Sequence, residues 1–474
     1  MGVTETTSTA PAGEQPAGEE AGRAARKSAS RASQGEWQAA PDRTGPLEIL
    51  SDQDRTRVPQ LVPVRYGRML ASPFTFYRGA AAIMAADLGS RPDSGLRVQL
   101  CGDAHLSNFG VFQAPDRRLV FDINDFDETL PGPFEWDVKR LVASVVIAAR
   151  DRGFDPAEQE AIALAGTAAY REAIARFAAM NELDVWYARL DMEEFGQKWS
   201  SKVDKEARRR ADKNLAKARN KGSLRALAKL TEKRDGEVRI AKRPPLLVPI
   251  GDLAEREGLD PAAVMGLVHR LLREYADTLD EQAQLLIRRY RYVDAAHKVV
   301  GVGSVGTRAW IVLLFGRDEE DPLFLQIKEA GPSVLEPFAG GSGHENHGRR
   351  VVSGQRLMQA AGDGLLGWIS ATGIDGKQRD FYVRQLWDGK GSAEVEVMSA
   401  STLRGYAQLC GWTLARAHAR TGDRQAIAAY LGKGDRFDRA IAEFSQAYAD
   451  QNELDYAVLM EAQRTGDLGV ESGL

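Results

Sequence analysis

Two short stretches constrain this chain more than any other feature. The first is Cys101-Gly102-Asp103-Ala104-His105-Leu106-Ser107-Asn108-Phe109-Gly110, and the second is Phe121-Asp122-Ile123-Asn124-Asp125-Phe126-Asp127-Glu128. An aspartate stands five positions before an asparagine, and a second acidic cluster follows a short apolar run. Packing so many acids together costs stability unless metal or other partners compensate. Phosphoryl transfer to a hydroxyl needs such a set: one carboxylate to orient the attacking oxygen, and hard oxygen ligands to hold magnesium on the phosphates.

At 474 residues the chain exceeds what one core usually supports, so two lobes are expected. A net charge of −4 argues against a global affinity for nucleic acid or membranes. No apolar run approaches the length of a membrane span, and no secretory signal is visible. Cys101 and Cys410 are too few for a disulfide framework or a cysteine zinc site, so a reducing cytoplasm is the simplest compartment. Residues 1–45 are rich in Ala, Gly, Ser, Thr, Glu and Pro, and are expected to form a disordered tail.

Val98–Cys101 and Arg118–Phe121 read as strands flanking the first motif, and Glu135 to Met180 reads as helical and Ala-rich. Residues 202–234 carry thirteen Lys or Arg against four Asp or Glu. Aromatic residues are absent from that run, which favours a solvated helical face over a nucleic-acid surface. Pro261 to Arg289 and Thr402 to Ala419 are further helices, and Asp380–Leu386 is a strand suited to serve as a hinge beside a nucleotide base.

A glycine pattern recurs far downstream. Val300-Gly301-Val302-Gly303-Ser304-Val305-Gly306 runs into the strand-like Ala309–Phe315, and a second strand, Pro322–Lys328, ends in a lysine. A dinucleotide fingerprint would open a helix and meet an acid later, so it does not fit. Strand, glycine turn, strand and then a lysine is the layout that covers a triphosphate in protein-kinase-type folds. Backbone N–H groups of Gly301, Gly303, Ser304 and Gly306 would approach the phosphates, with Lys328 neutralising them.

Gly102-Asp103-Ala104-His105-Leu106-Ser107-Asn108 resembles the catalytic loop of aminoglycoside- and choline-kinase-like phosphotransferases, Ile123–Glu128 their metal motif, and Gly132–Val138 the segment that follows. Along most of its length the chain also resembles an uncharacterised bacterial family, domain of unknown function 2252. The supporting stretches include Ser72-Pro73-Phe74, Ile327-Lys328-Glu329-Ala330 and Ala417-His418-Ala419-Arg420. The kinase-like resemblance implies Asp103 as catalytic base, Asn108 and Asp125 as magnesium ligands, and Asp137 as a buried support for the loop. It implies Gly301, Gly303, Ser304, Gly306 and Lys328 as the ATP-binding set. The glutamate partner of Lys328 stays open between Glu336 and Glu345. Arg65, Arg68 and Arg78 suit either an anionic acceptor or structural ion pairs.

The resulting expectation is an α+β, two-lobed, protein-kinase-like fold. Its order is circularly permuted, because the catalytic pieces precede the glycine turn. Residues 46–289 would form a mainly helical lobe, 290–390 a small antiparallel sheet over ATP, and 391–474 helices completing the first lobe. The expected activity is magnesium-dependent transfer of the ATP γ-phosphoryl group to a hydroxyl on a small molecule. The alternatives are a nucleotide-binding regulator of pseudokinase type and AMP transfer on the same fold. Two lesser readings make Asp423 the base, or make Asp103, His105, Asp122 and Asp125 a two-metal hydrolase site. The acceptor and the oligomeric state are not legible, and no membrane or nucleic-acid partner is expected.

Overall fold

The computed structural model describes residues 18–194, 209, 222–373, 375–386 and 391–473. It opens with α1 (Gly18–Ser28), followed by α2 (Val62–Met69) and α3 (Pro73–Gly79). Ser72 starts α3 with a capping box: its hydroxyl accepts the Thr75 N–H, and Thr75 Oγ1 accepts the Ser72 N–H.

The strands that carry the acidic motifs come next. β1 (Arg97–Leu100) pairs with β4 (Leu130–Pro133), while β2 (Phe109–Gln113) and β3 (Leu119–Ile123) form an antiparallel pair with Phe109 opposite Ile123. Two-residue strands, β5 (Leu190–Asp191) beside β3 and β14 (Gly391–Ser392) beside β2, flank that pair. The helical region expected over 135–180 is two helices, α4 (Phe134–Asp151) and α5 (Pro156–Ala178). Asp155 separates them by capping α5 reciprocally with Glu158, with Pro156 at the first helical position.

The second lobe is built on a six-stranded antiparallel sheet in the order β12-β13-β11-β10-β9-β8. Before it come α6 (Ser223–Leu230), the hairpin β6 (Thr231–Arg234) and β7 (Glu237–Ile240), then β8 (Leu247–Pro249), α7 (Pro261–Asp277) and α8 (Glu281–Ile287). β9 (Arg291–Lys298), β10 (Ala309–Phe315) and β11 (Pro322–Ala330) follow as a meander. Helix α9 (His347–Met358) precedes β12 (Gly367–Thr372) and β13 (Gln378–Gln385). Side chains alternate across the sheet as a two-residue period requires. Val312, Leu314, Leu323 and Leu325 pack under α7 and α8, whereas Ile311, Leu313 and Phe324 meet α6 and β7 on the opposite face. Residues 222–287 therefore belong with the sheet and not with the helical lobe expected to end at 289.

The chain then returns to the helical lobe as α10 (Ala400–Thr421), α11 (Arg424–Leu431) and α12 (Arg436–Thr465). The main core lies there, with Val142 and Val146 of α4 among Tyr170, Leu414 and Phe444. The expected tail is corrected from residue 18 onward. Arg26 Nε donates to Tyr430 O at 3.0 Å and Arg31 Nη1 to Leu431 O at 2.9 Å, anchoring α1 and its exit on α11. Residues 1–17, and most of the basic segment 202–234, lie outside the described residues.

Candidate active site

The catalytic-loop motif hangs from α4. Asp137, in the first turn where the helix dipole favours a carboxylate, accepts the Cys101 N–H at 2.8 Å and the Gly102 N–H at 3.0 Å. His418 Nε2 lies 3.3 Å from the same carboxylate, and its Nδ1 is 2.9 Å from the Tyr170 hydroxyl. One turn further along α4, Arg140 donates to Asp103 Oδ1 from Nε at 2.9 Å, and from Nη2, 2.8 Å away, which also reaches Tyr77 O. Burial opposes the charge on Arg140, but Tyr77 and Asp103 outweigh it and hold the guanidinium protonated. Asp103 is thus fixed through one oxygen. Its other oxygen lies 3.6 Å from His105 Nε2. Burial pushes the His105 imidazole down to about 4, and its Nδ1 accepts the Ser107 N–H, so the neutral ring presents Nε2–H toward Asp103. Asn108 Nδ2 donates to Asp103 O at 2.8 Å, leaving the side-chain oxygen for another ligand.

The second motif divides its three aspartates among three tasks. Asp122 is buried on β3 and bound by Arg416 from α10, so it ties strand to helix. Asp127 accepts from Lys328 Nζ at 2.5 Å and from the Tyr382 hydroxyl at 2.5 Å. Asp125 keeps 31% of its side chain exposed, 3.7 Å from Lys328 Nζ. Its segment adjoins Asn108 directly, because the Asn124 N–H donates to Asn108 O at 2.8 Å. Burial opposes the charge on Lys328, yet Asp125 and Asp127 overcome it and raise the ammonium above its ordinary value. Neither Glu336 nor Glu345 pairs with Lys328; Asp127 does. Arg350 of α9 holds the chain below the motif through Asp127 O, Thr129 O and Gly331 O.

Gly301 and Gly306 both adopt positive φ, and with them the chain turns back within the ten residues between β9 and β10. That turn rests on the N-terminal arm. Arg68 Nη1 donates to Gly301 O at 2.6 Å, Arg57 Nη1 to Val305 O at 2.5 Å, and the Val58 N–H to Gly306 O at 2.8 Å. Gly303 lies against Arg78 O, and the Ser304 hydroxyl faces Val300 O at 3.5 Å. A cleft of about 760 Å³ opens beside the turn, lined by Lys298, Val300, Asn124, Gln326 and Arg384 among others. Asp103, Asp125 and Lys328 are not in its lining. Arg384 in its lining donates to Asn124 O at 3.1 Å and to Gln326 Oε1 at 3.0 Å. In the strand Asp380–Leu386, expected to serve as a hinge, the last two N–H groups are occupied: Gln385 donates to Asp363 Oδ2, and Leu386 to Phe324 O.

The two lesser readings lose their residues here. Asp423 caps α11 through the Gln425 and Ala426 N–H groups, and Asp122 is committed to Arg416. Among the described residues no three His, Cys, Asp or Glu side chains form a metal-holding group. None of the described helices is long and apolar enough to cross a membrane.

A profile of a family described as an uncharacterised protein conserved in bacteria, domain of unknown function 2252, matches residues 57–462. The chain belongs to that family. No curated protein and no solved structure matches it. The matched span takes in both acidic motifs, the glycine turn and Lys328, and it begins at Arg57, whose guanidinium holds that turn. Several site residues in this family member carry no motif of their own. Arg140 was legible in principle, since it follows Asp137 by three positions on one helical face. Tyr382 and Arg350 give no such signal, because only the tertiary fold brings them to Asp127.

Proposed function

We propose that the protein is a magnesium-dependent phosphotransferase that moves the γ-phosphoryl group of ATP to a hydroxyl of a small-molecule acceptor. One observation carries this reading. Lys328, 201 positions downstream of Asp127, lies 2.5 Å from it and 3.7 Å from Asp125, beside a loop on which Asp103 and Asn108 are fixed. Support for a kinase-like sheet lobe lies in its order: a glycine turn between β9 and β10, the lysine on β11, then helix α9. Support for a permuted order lies at the end of α10, where Thr421 Oγ1 accepts the Gln99 N–H and Gly422 abuts Val98. The helix that would lead into β1 in an unpermuted chain ends beside it.

In this reading Asp103 accepts the acceptor hydroxyl's hydrogen bond through Oδ2, while Arg140 keeps the carboxylate from rotating. The donor set fits magnesium. Asn108 Oδ1 and Asp125 are hard oxygen ligands on adjoining segments, and two protein ligands are typical when phosphates and waters complete the shell. Bound there, the ion would neutralise charge on the phosphates. Lys328 would exchange part of its pairing with Asp127 for phosphate oxygens, and the cleft's volume suits a nucleotide.

The test is purified protein with ATP labelled at the γ or the α position and a metabolite extract. γ-Label in a product supports phosphoryl transfer, and α-label supports AMP transfer instead. Asp103→Asn is expected to lower turnover by about 10²- to 10⁴-fold while nucleotide still binds. Full turnover by that variant would reject the mechanism. A nucleotide-binding regulator is the second reading. Binding without label transfer would select it.

A further inference from the structure

Arg78 ends the side-chain sequence of α3 and lies between the two halves of the site. Its carbonyl oxygen packs against Gly303 of the glycine turn. The residue before it, Tyr77, accepts through its carbonyl the same Arg140 that holds Asp103. The backbone at 77–78 is therefore pinned between the turn proposed to cover the phosphates and the carboxylate proposed to orient the acceptor. In the phosphotransfer reading the transferring group passes between those two groups.

The chain's other arginines nearby are already used. Arg65 is fully buried and bound to Asp54 and Gln53, Arg68 holds Gly301 O, and Arg57 holds Val305 O. Arg78 differs from them in taking part in no side-chain hydrogen bond or ion pair among the described residues, and its Nε, like those of Arg57 and Arg65, is buried without a partner. Burial lowers its pKa, while Glu396 and Asp103 raise it. A desolvated guanidinium with its fork unfilled suits an anion with several oxygens.

We propose that Arg78 is a catalytic residue that binds the γ-phosphoryl group of the nucleotide between the glycine turn and Asp103. This rests on the phosphotransfer reading and names the cation that reading lacks beyond Lys328. A cation at this position neutralises charge as it spreads over the equatorial oxygens in transfer, the role an arginine supplied in cis plays in other phosphoryl-transfer sites.

The measurement is calorimetric titration of the full-length wild-type protein, Arg78→Ala and Arg78→Lys with MgATP and with MgADP. Thermal unfolding establishes that each variant folds. The wild type is expected to prefer ATP, and Arg78→Ala to weaken ATP about ten- to hundredfold while ADP binding changes less than about twofold. Arg78→Lys should recover part of the preference, since it keeps the charge without the fork. Equal losses for ATP and ADP, or no loss for either, would overturn the assignment. A folded wild type that binds neither nucleotide would overturn the phosphotransfer reading, and the role of Arg78 with it.

Discussion

Asp137 accepts hydrogen bonds from two consecutive backbone N–H groups and lies beside His418 while itself almost wholly buried. Removing its carboxylate leaves the buried Cys101 N–H and the half-buried Gly102 N–H without partners, and an unsatisfied buried group costs about 1–3 kcal/mol. Asp137→Ala is therefore expected to lower the unfolding free energy in urea by about 3 kcal/mol, with Asp137→Asn costing less because one acceptor survives. Equal stabilities for the wild type and Asp137→Ala would show that the loop does not hang from this residue. The role of Asp137 was legible because a motif supplied it. The restraint of Asp103 by Arg140 was not, although both charges stand on one face of α4 and serve one loop. The three aspartates of the second motif were separable only in part. Their chemistry is identical in sequence, and only the positions of Arg416, Lys328 and Tyr382 divide them into a strand tie, a lysine partner and an exposed carboxylate.

At the scale of elements, alternation and helical periodicity gave the strands around the acidic motifs, the β9–β10–β11 meander and α10 to within a few residues. Composition misled at the N-terminus. Ala, Gly and Ser look unable to form a core, yet small residues are what α1 needs to lie directly on α11. Gly22 is buried there, and a Cβ at that position would collide with Ala426 O. Since the obstacle is backbone, it cannot swing aside as a side chain would. Gly22→Val is expected to cost at least about 1–3 kcal/mol, as overpacking does. Increased proteolysis within residues 18–45 and a lower melting temperature would report the loss of docking. An unchanged melting temperature would mean that α1 does not depend on this close approach. The assignment of residues 222–287 failed for a related reason: helical periodicity reports an apolar face but not its partner, and these faces meet the sheet.

At the scale of the whole molecule, the acidic motif and the β11 lysine, far apart in sequence, meet in an ion pair. Lys328 extends from β11 with 3% of its side chain exposed, and Asp127 lies beyond the end of β3 in the other lobe. Each partner alone would be a poorly solvated charge, so breaking the pair costs more than the pair itself contributes. Lys328→Met should leave Asp127 facing the Tyr382 hydroxyl and Asp125 without the cation that offsets both carboxylates. Asp127→Asn should leave Lys328 with Asp125 at 3.7 Å as its remaining counter-charge. The second loss is therefore expected to be the smaller of the two. In the double variant the charge on each side is gone together, so its loss of stability should be smaller than the sum of the two single losses by about 1–3 kcal/mol, read by urea unfolding of all four proteins. A coupling near zero would mean that the lobes do not communicate through this contact. A coupling of that size would place in one energetic unit two residues 201 positions apart.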